Sequence, residues 1–403
     1  MGSSKGGLSA ARLGRMHDAV EGYVESGYVP GAITLIHRKG ETVVDVVGRQ
    51  DSEGGPAMKR DSIFRIASMT KPITAVATTI LVEEGKLRLD EPVDRLLPEL
   101  ANRKVLKTLE SALDDTVPAS RPITVRDLLT FRLGFGMSFG PPEAPIQKAM
   151  AKKQIMGLKP PTPHAPDVWM KAFGSLPLMH QPGERWMYHT GSDVLGVLIA
   201  RASGKPFETF LKERIFEPLG MKDTGFSVPH KKLDRLCGCY AVNPKSGELE
   251  LYDEAGAASQ WATPPAFPAG GGGLVSTVDD YLAFGKMMLN GGRLGKERIL
   301  SRPTVMTMTT DQLTEAQKLA SPFFPGFWDS RGWGLGMAVA TKRLDIMQSP
   351  GRFGWDGAFG TSWASDPSED MVGILMIQRL GFGPAPAGLY GDFWTLAYQA
   401  IDD

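Results

Sequence analysis

Ser68 and Lys71 are the residues whose types and spacing most directly suggest chemistry. Residues 63–66 are typical of a strand, and the apolar residues after Lys71 recur at helical spacing, which predicts a helix over residues 68–84. Residues three apart lie on one face of a helix, so the serine hydroxyl and the lysine amine can meet. An amine placed there can take the hydroxyl proton and let the oxygen attack an acyl carbon. The alternative is a helix-capping serine followed by a solvated lysine.

Tyr188 is a second candidate because it completes the pattern Pro-Gly-x-x-x-x-Tyr, which begins at Pro182. A tyrosine is more commonly a core aromatic residue with a satisfied hydroxyl. Ser-x-x-Lys followed by this pattern resembles the penicillin-recognising serine hydrolases, a superfamily that includes class C β-lactamases, DD-peptidases and family VIII carboxylesterases. Residues 85–93, 123–130 and 270–280 resemble further signatures of the same superfamily.

The resemblance implies a role for each of these residues. Tyr188 would share protons with Ser68 and Lys71, and the backbone N–H groups of Ser68 and Ala358 would form an oxyanion hole that stabilises developing negative charge. A phenol has an ordinary pKa of about 10 and relays protons well only where a nearby cation lowers it, and Lys71 is the natural cation. Whether Lys71 or Tyr188 is the resting base stays open, because protons on a coupled pair belong to the pair.

The third motif of the superfamily, usually Lys-Thr-Gly, is replaced here by Trp355-Asp356-Gly357. The segment could be a tight turn between strands, or it could edge the cleft. A lysine in this triplet can hold a substrate carboxylate, whereas tryptophan cannot, and Asp356 would repel one if it faces the cleft. Trp355, Asp356, Gly357 and Phe135 are therefore predicted to bind substrate, with Trp355 as an apolar wall.

A second departure also favours a neutral substrate. Thr190 stands where many β-lactam-binding members have asparagine. Both changes weaken the site for anionic peptides and β-lactams and favour a neutral ester, as in the family VIII carboxylesterases. Arg352 or Arg379 could still supply the missing positive charge.

Ser138 is a rival nucleophile, because residues 136–140 match Gly-x-Ser-x-Gly. That motif needs a strand before the serine and a helix after it. Pro141 and Pro142 follow instead, and they cannot continue a hydrogen-bonded helical start. The sequence therefore favours Ser68.

Two further features lie close to these candidates in the sequence. His189 follows Tyr188, but adjacent side chains of an extended segment point apart, so we expect a neighbour rather than a proton carrier. Residues 322–328 form an aromatic loop, which is either core packing or the lining of an acyl pocket. The chain has no His-Glu-x-x-His pattern, and the chemistry described requires no metal or cofactor.

Composition excludes several classes of protein. Lys plus Arg and Asp plus Glu are both 45 in 403 residues, so no net charge suggests nucleic acid or an anionic membrane as a partner. No apolar run is long enough for a membrane span, and no signal sequence opens the chain. Cys237 and Cys239 read as free thiols in a strand over 236–240, which fits the cytoplasm. A trimmed signal peptide would instead imply a periplasmic or secreted protein.

The order of the predicted elements suggests one discontinuous α/β domain with a helical insertion. Strands are predicted near both ends of the chain, and helices punctuated by proline-rich loops between them, with residues 134–168 the least regular. The fold predicted is α/β (α+β), of the β-lactamase/transpeptidase type, with an antiparallel sheet flanked by the terminal helices. The α/β domain would comprise residues 1–87 and 286–403, and the mainly helical domain residues 88–285. The predicted strands and helices are strands 32–37, 42–47, 333–340, 359–365 and 371–378, and helices 13–24, 194–201, 207–216 and 393–401.

These features predict a serine carboxylesterase that hydrolyses neutral short- or medium-chain esters through an acyl-enzyme on Ser68. Its partner would be a small-molecule ester, and the oligomeric state stays open. The alternatives with the same fold are a β-lactamase or DD-peptidase, and an acyltransferase in which an alcohol replaces water. The alternative outside enzymes is a penicillin-sensing or scaffolding protein, because fold alone does not fix function.

Overall fold

The computed structural model describes residues 6–52, 54–137, 141–157, 159, 161–321, 323–381 and 388–403. The helices, α1 to α12 in chain order, are Ala10–Glu25, Thr70–Glu83, Val125–Leu129, Pro145–Lys152, Pro166–Gly174, Thr190–Ser203, Phe207–Leu211, Glu217–Leu219, Val278–Leu289, Arg302–Met308, Glu315–Leu319 and Leu389–Gln399. The strands, β1 to β16, are Gly31–Arg38, Glu41–Gly48, Phe64–Arg65, Lys104–Leu106, Thr116–Pro118, Cys239–Val242, Leu249–Asp253, Val275–Ser276, Arg293–Leu294, Glu297–Arg298, Arg331–Trp333, Ala338–Ala340, Phe353–Asp356, Ser362–Asp366, Met371–Met376 and Arg379–Leu380.

A seven-stranded sheet joins the two ends of the chain in the order β11-β12-β13-β14-β15-β1-β2. Every neighbouring pair in it is antiparallel. Side chains of a strand alternate between faces, so Ile33 and Leu35 join the larger core around α2, whereas Ala32 and Ile36 join a second core with α1 and α12. The predicted antiparallel sheet flanked by terminal helices is confirmed.

Helix α2 is the buried axis of the molecule. A 3₁₀ turn, Ala67–Met69, leads into it, and all of its residues from Thr70 to Leu81 are buried. A helix that is buried on every side lies within a large core, and α2 packs against α6 and α7 on the side away from the sheet. Ser68, the candidate nucleophile, therefore lies at the start of a helix that is packed on all sides.

The region between the terminal parts contains helices α3 to α8, and the predicted division of the chain into two domains stays a prediction. Helix α9 packs against β14 and β15 of the large sheet. The predicted boundary after residue 285 lies inside α9, so this helix belongs with the sheet. Residues 134–168, predicted to be the least regular stretch, contain α4.

Four predicted elements have different bounds because turns interrupt or shift the apolar runs. Residues 333–340 form a hairpin rather than one strand, closed by the N–H of Gly334 donating to the carbonyl of Met337 at 2.9 Å. The strand predicted over 359–365 starts only at Ser362, after a turn. The cysteine strand starts at Cys239 rather than at 236. The helix over 207–216 changes to a π-helical turn at residue 212.

Within the described residues, no helix combines the length and the apolar character needed to cross a bilayer. Cys237 and Cys239 are free, buried thiols whose pKa values burial raises to about 12. Buried thiols with such a pKa are protonated and inert, which fits a purely structural role.

Candidate active site

Ser68 lies in the 3₁₀ turn that enters α2, and Lys71 follows on the same face. The Lys71 Nζ lies 2.9 Å from the Ser68 Oγ, as the three-residue spacing predicts. Ala67 just before them has a φ of 41°, a left-handed conformation that costs energy for a residue with a side chain. Ser68 is 9% exposed, whereas Lys71 is fully buried.

Lys71 has three hydrogen-bond partners around its amine. Besides Ser68, its Nζ lies 3.1 Å from His189 Nδ1 and 2.5 Å from the carbonyl oxygen of Gly271. Burial disfavours the charged form and lowers the pKa of Lys71 to about 7, against the opposing attraction of Asp193. A substantial fraction of this lysine is therefore a neutral amine, and thus a base, near neutral pH.

Tyr188 lies on the other side of Ser68. The Lys71 Nζ sits 4.4 Å from the centroid of its ring, so the amine meets the face of the ring rather than the hydroxyl. Trp355 Nε1 donates a hydrogen bond of 2.6 Å to the phenol oxygen. Burial raises the pKa of Tyr188 above its ordinary value, although hydrogen bonds with Ser68 and Trp355 oppose this. The expectation that the Lys71 cation would lower this pKa is not met, because burial dominates, and the phenol stays protonated near neutral pH.

Aromatic side chains enclose Tyr188. Its ring stacks on Trp186 at 5.6 Å and lies 5.3 Å from Phe323 in the aromatic loop. The same cluster continues through Trp355, whose ring meets Trp333 edge-on at 4.7 Å. The described part of the aromatic loop, residues 323–328, thus packs over the tyrosine side of the site, where it excludes water and strengthens the polar contacts that remain.

His189 contacts Lys71, contrary to the sequence prediction. That prediction assumed an extended backbone, but His189 has a φ of 90° and a ψ of −67°, which turns its side chain toward the amine. Its Nε2 lies 3.1 Å from an oxygen of Asp193, one helical turn along α6. The other Asp193 oxygen accepts the N–H of Gly271 at 2.8 Å.

The sequence reasoning missed Asp193 and Gly271 as parts of the site. Their signals were the i, i+4 spacing of His189 and Asp193 and the glycine-rich turn at 270–273. A Cβ added to Gly271 would lie 2.9 Å from His189 Cε1 and 3.0 Å from Asp193 Oδ1. Only glycine therefore permits the backbone to approach this pair so closely.

The turn after β13 is held against the Ser68 turn. Thr361 Oγ1 donates to the carbonyl oxygen of Ile66 at 3.3 Å, and a Cβ on Gly357 would lie 2.4 Å from that same oxygen. Ala67 and Ala358 belong to one apolar cluster. The structure thus brings the Ser68 and Ala358 backbones together, and their role as an oxyanion hole stays a prediction.

Two predicted substrate-binding residues lie elsewhere. The Asp356 carboxylate accepts hydrogen bonds from Ser362 Oγ at 2.5 Å and Tyr390 OH at 3.2 Å, on the face of the sheet that α12 covers. Trp355 faces the opposite way, because side chains alternate along β13. Phe135 is fully buried and packs edge-on against Phe173 at 5.0 Å, so it is a core residue.

Three residues were alternatives to the groups described above: Ser138 as the nucleophile, and Arg352 or Arg379 as the missing positive charge. Ser138 lies outside the described residues. Arg352 stacks over Trp394 at 3.9 Å and Arg379 over Tyr28 at 3.8 Å, in each case as a cation over an aromatic face. Neither guanidinium therefore replaces the missing lysine of the third motif. In the described part of the chain, no group of three or more His, Cys, Asp and Glu residues is placed to hold a metal ion.

A cavity of about 70 Å³ lies behind His189 and Asp193. Apolar side chains form most of its wall, chiefly those of Ile155, Met156, Phe226, Trp261 and Phe267. The polar contacts of Lys71 thus lie between the nucleophile and an apolar space.

Known proteins match this chain over nearly its whole length. The profile of the Beta-lactamase family matches residues 16–391. The chain is 39% identical over 361 residues to Protein Rv1367c of Mycobacterium tuberculosis, covering 88% of this chain and 87% of the relative. It is 30% identical over 387 residues to Esterase EstB of Burkholderia gladioli, covering 92% and 91%. The solved structure of EstCE1, a hydrolase with promiscuous acyltransferase activity, matches with a TM-score of 0.78 and 23% identity, covering 98% and 99%.

These matches agree with the arrangement built from the residues. They confirm the fold predicted from the sequence, a β-lactamase/transpeptidase-type fold that combines helices with an antiparallel sheet. They also confirm the resemblance that Ser68, Lys71 and Tyr188 suggested. The chain belongs to the Beta-lactamase family, within the penicillin-recognising serine hydrolases, and is like the family VIII esterases.

Proposed function

We propose that this protein is a serine carboxylesterase that hydrolyses neutral esters of short or medium acyl chain. The observation that carries the proposal is the contact of 2.9 Å between the Ser68 Oγ and the Nζ of a fully buried Lys71. A buried lysine with a pKa of about 7 is the base that a serine nucleophile needs at neutral pH.

The chemistry follows from the protonation states of the two flanking groups. Neutral Lys71 takes the proton of the Ser68 hydroxyl as its oxygen bonds to the ester carbonyl carbon. The oxyanion formed rests on the N–H groups of Ser68 and Ala358. When the ester C–O bond breaks, the departing alcohol oxygen takes a proton from Tyr188, and the proton that Lys71 holds returns to the Tyr188 oxygen by way of water in the cleft. Water then attacks the acyl-enzyme, gives its proton to the same base and releases the acid and Ser68.

The proposal of a neutral substrate rests on Trp355 and on where the arginines lie. Trp355 occupies the position of the motif lysine and uses its N–H to bond Tyr188, leaving no cation there for a substrate carboxylate. Arg352 and Arg379 are stacked on aromatic rings elsewhere. A charge-assisted hydrogen bond is worth about 1.5–3 kcal/mol, so its loss disfavours an anionic β-lactam by roughly ten- to a hundredfold.

The test is a hydrolysis panel of p-nitrophenyl esters of graded acyl length beside a chromogenic cephalosporin, with Ser68→Ala as the control. We expect turnover of the shorter neutral esters, a kcat/KM for the cephalosporin at least tenfold lower, and no turnover by Ser68→Ala. Equal efficiency on the cephalosporin would favour a β-lactamase. Slow acylation without turnover of any ester would favour a sensing protein.

Acyl transfer to an alcohol is the second candidate function. EstCE1, whose fold this chain shares, is a hydrolase with promiscuous acyltransferase activity. The two activities pass through the same acyl-enzyme and differ only in whether water or an alcohol attacks it. Product analysis of the same panel with an added short-chain alcohol distinguishes them, because a transferase yields the new ester at the expense of the free acid.

A further inference from the structure

Lys71, His189, Asp193 and Gly271 form a closed ring of hydrogen bonds behind the nucleophile. Lys71 Nζ contacts His189 Nδ1, His189 Nε2 contacts Asp193, Asp193 accepts the Gly271 N–H, and the Gly271 carbonyl oxygen accepts from Lys71. We propose that His189 and Asp193 are a positioning pair that aims the lone pair of neutral Lys71 at the Ser68 hydroxyl. The proposal concerns how the proposed acyl-enzyme forms and so rests on that function.

The donors and acceptors around the amine determine where its lone pair points. A neutral lysine amine has two N–H donors and one lone pair. The Gly271 carbonyl oxygen can only accept, so it takes one N–H. If His189 Nδ1 accepts the second N–H, the lone pair must point at the remaining neighbour, the Ser68 hydroxyl. That is the orientation in which the amine can remove the hydroxyl proton.

Asp193 decides which nitrogen of His189 carries the proton. An ionised carboxylate can only accept hydrogen bonds, and Asp193 faces Nε2. The ring proton of neutral His189 therefore sits on Nε2, and Nδ1 is free to accept from Lys71. A carboxylate that fixes the tautomer of an active-site imidazole plays the same part in serine proteases.

The strained backbone conformation of His189 indicates a functional role for its side chain rather than a role in packing. His189 adopts a φ of 90°, a conformation that costs energy for a residue with a side chain and that turns the imidazole to the amine. The side chain of His189 is 18% exposed and that of Asp193 is 6% exposed, and both border the apolar cavity. Among the described residues, the ionisable groups that face the imidazole are Lys71, Asp193 and the Tyr188 ring, whose centroid lies 6.1 Å away.

The experiment compares Asp193→Asn in two backgrounds. In the wild type, the asparagine amide would donate to Nε2 and force the proton onto Nδ1, which would then point at Lys71 and divert its lone pair from Ser68. In a His189→Asn background no tautomer can change, and the asparagine oxygen at the position of Nδ1 can still accept from Lys71. We expect Asp193→Asn to lower kcat at least tenfold in the wild type and at most about twofold in His189→Asn.

The second readout is the rate at which a serine-directed phosphonate labels Ser68, because it reports the nucleophile whatever the substrate. If no ester is turned over but labelling slows only where His189 is present, the proposed function fails and the positioning pair stands. If ester turnover is normal and Asp193→Asn acts equally in both backgrounds, or not at all, the positioning pair is wrong and the proposed function stands.

Two controls separate positioning from folding. His17 and Asp45 form a second His–Asp pair, 2.9 Å apart, between α1 and β2, so Asp45→Asn should leave kcat unchanged. His189→Leu removes the acceptor but keeps an apolar side chain of similar bulk. It should acylate at least fivefold more slowly than His189→Asn at equal Tm, and this comparison stands even if Asp193→Asn does not fold. Equal rates for the two variants would overturn the proposal.

Discussion

The two sides of Ser68 differ in chemistry although both are buried. On one side Lys71 has polar partners, His189 Nδ1 and the Gly271 carbonyl oxygen. On the other side Tyr188 lies among aromatic rings, with Trp355 bonded to its hydroxyl. Burial lowers the pKa of Lys71 to about 7 and raises that of Tyr188.

Burial alone can thus produce both a base and an acid. Lysine is charged when protonated, whereas tyrosine is charged when deprotonated, so desolvation favours the neutral form of each. The result is a free amine and an intact phenol on either side of one hydroxyl. Pairs of titratable groups with divergent pKa values are the usual basis for assigning acid and base roles.

We expect the largest loss of activity when the functional group of Lys71 or of Tyr188 is removed. Lys71→Ala removes the base and should lower kcat by about a hundredfold or more, the usual size of a lost general base. Tyr188→Phe removes the acid and should also cost a factor of hundreds in steady-state kinetics. Because both groups serve one proton path, the double variant should be little worse than either single variant. Losses that multiply would show that the two sides act independently.

The pH dependence should separate the two sides without any substitution. Lys71 is a base only when neutral, so kcat/KM should fall as the pH drops below about 7 and should be roughly tenfold lower one unit below that pKa. Initial rates across a pH series measure this limb. The limb should keep its midpoint in His189→Asn, which leaves Lys71 in place. Activity that is flat from pH 5 to 8 would contradict a lysine base.

We expect the smallest loss of activity from a change at Trp355, on the aromatic side of the site. Trp355→Phe keeps the ring packing but removes the N–H that bonds the Tyr188 hydroxyl. One such hydrogen bond contributes about 0.5–1.5 kcal/mol, so kcat should fall by roughly two- to tenfold. The low-pH limb should not move, since Lys71 is untouched. A loss as large as that of Tyr188→Phe would mean that Trp355 does more than orient the phenol.

Local spacing predicted the polar side of the site only in part. Ser68 and Lys71 meet because a three-residue spacing in a helix leaves little choice. Tyr188 was found through its resemblance to a motif rather than through any spacing that links it to Ser68. His189 was missed because its positive φ turns its side chain away from the direction expected in an extended segment. The neighbouring residue types do not predict that conformation.

Two predicted substrate-binding residues, Asp356 and Phe135, lie away from the cleft because of strand alternation and core packing. Asp356 was predicted to bind substrate at the edge of the cleft, but it ends strand β13, where alternation sends Trp355 and Asp356 to opposite faces. Phe135 was placed in the cleft, but contacts distant in sequence bury it against Phe173. The fold was easier to predict, because few known folds place strands at both ends of the chain and helices between them.

The central claim is that Ser68 is the nucleophile and that the buried amine beside it supplies the activation. Labelling with a serine-directed fluorophosphonate, followed by peptide mass spectrometry, tests both parts. We expect a single adduct on Ser68 in the wild type and labelling at least a hundredfold slower in Lys71→Ala. An adduct on Ser138, or labelling of Ser68 at an undiminished rate in Lys71→Ala, would contradict the account.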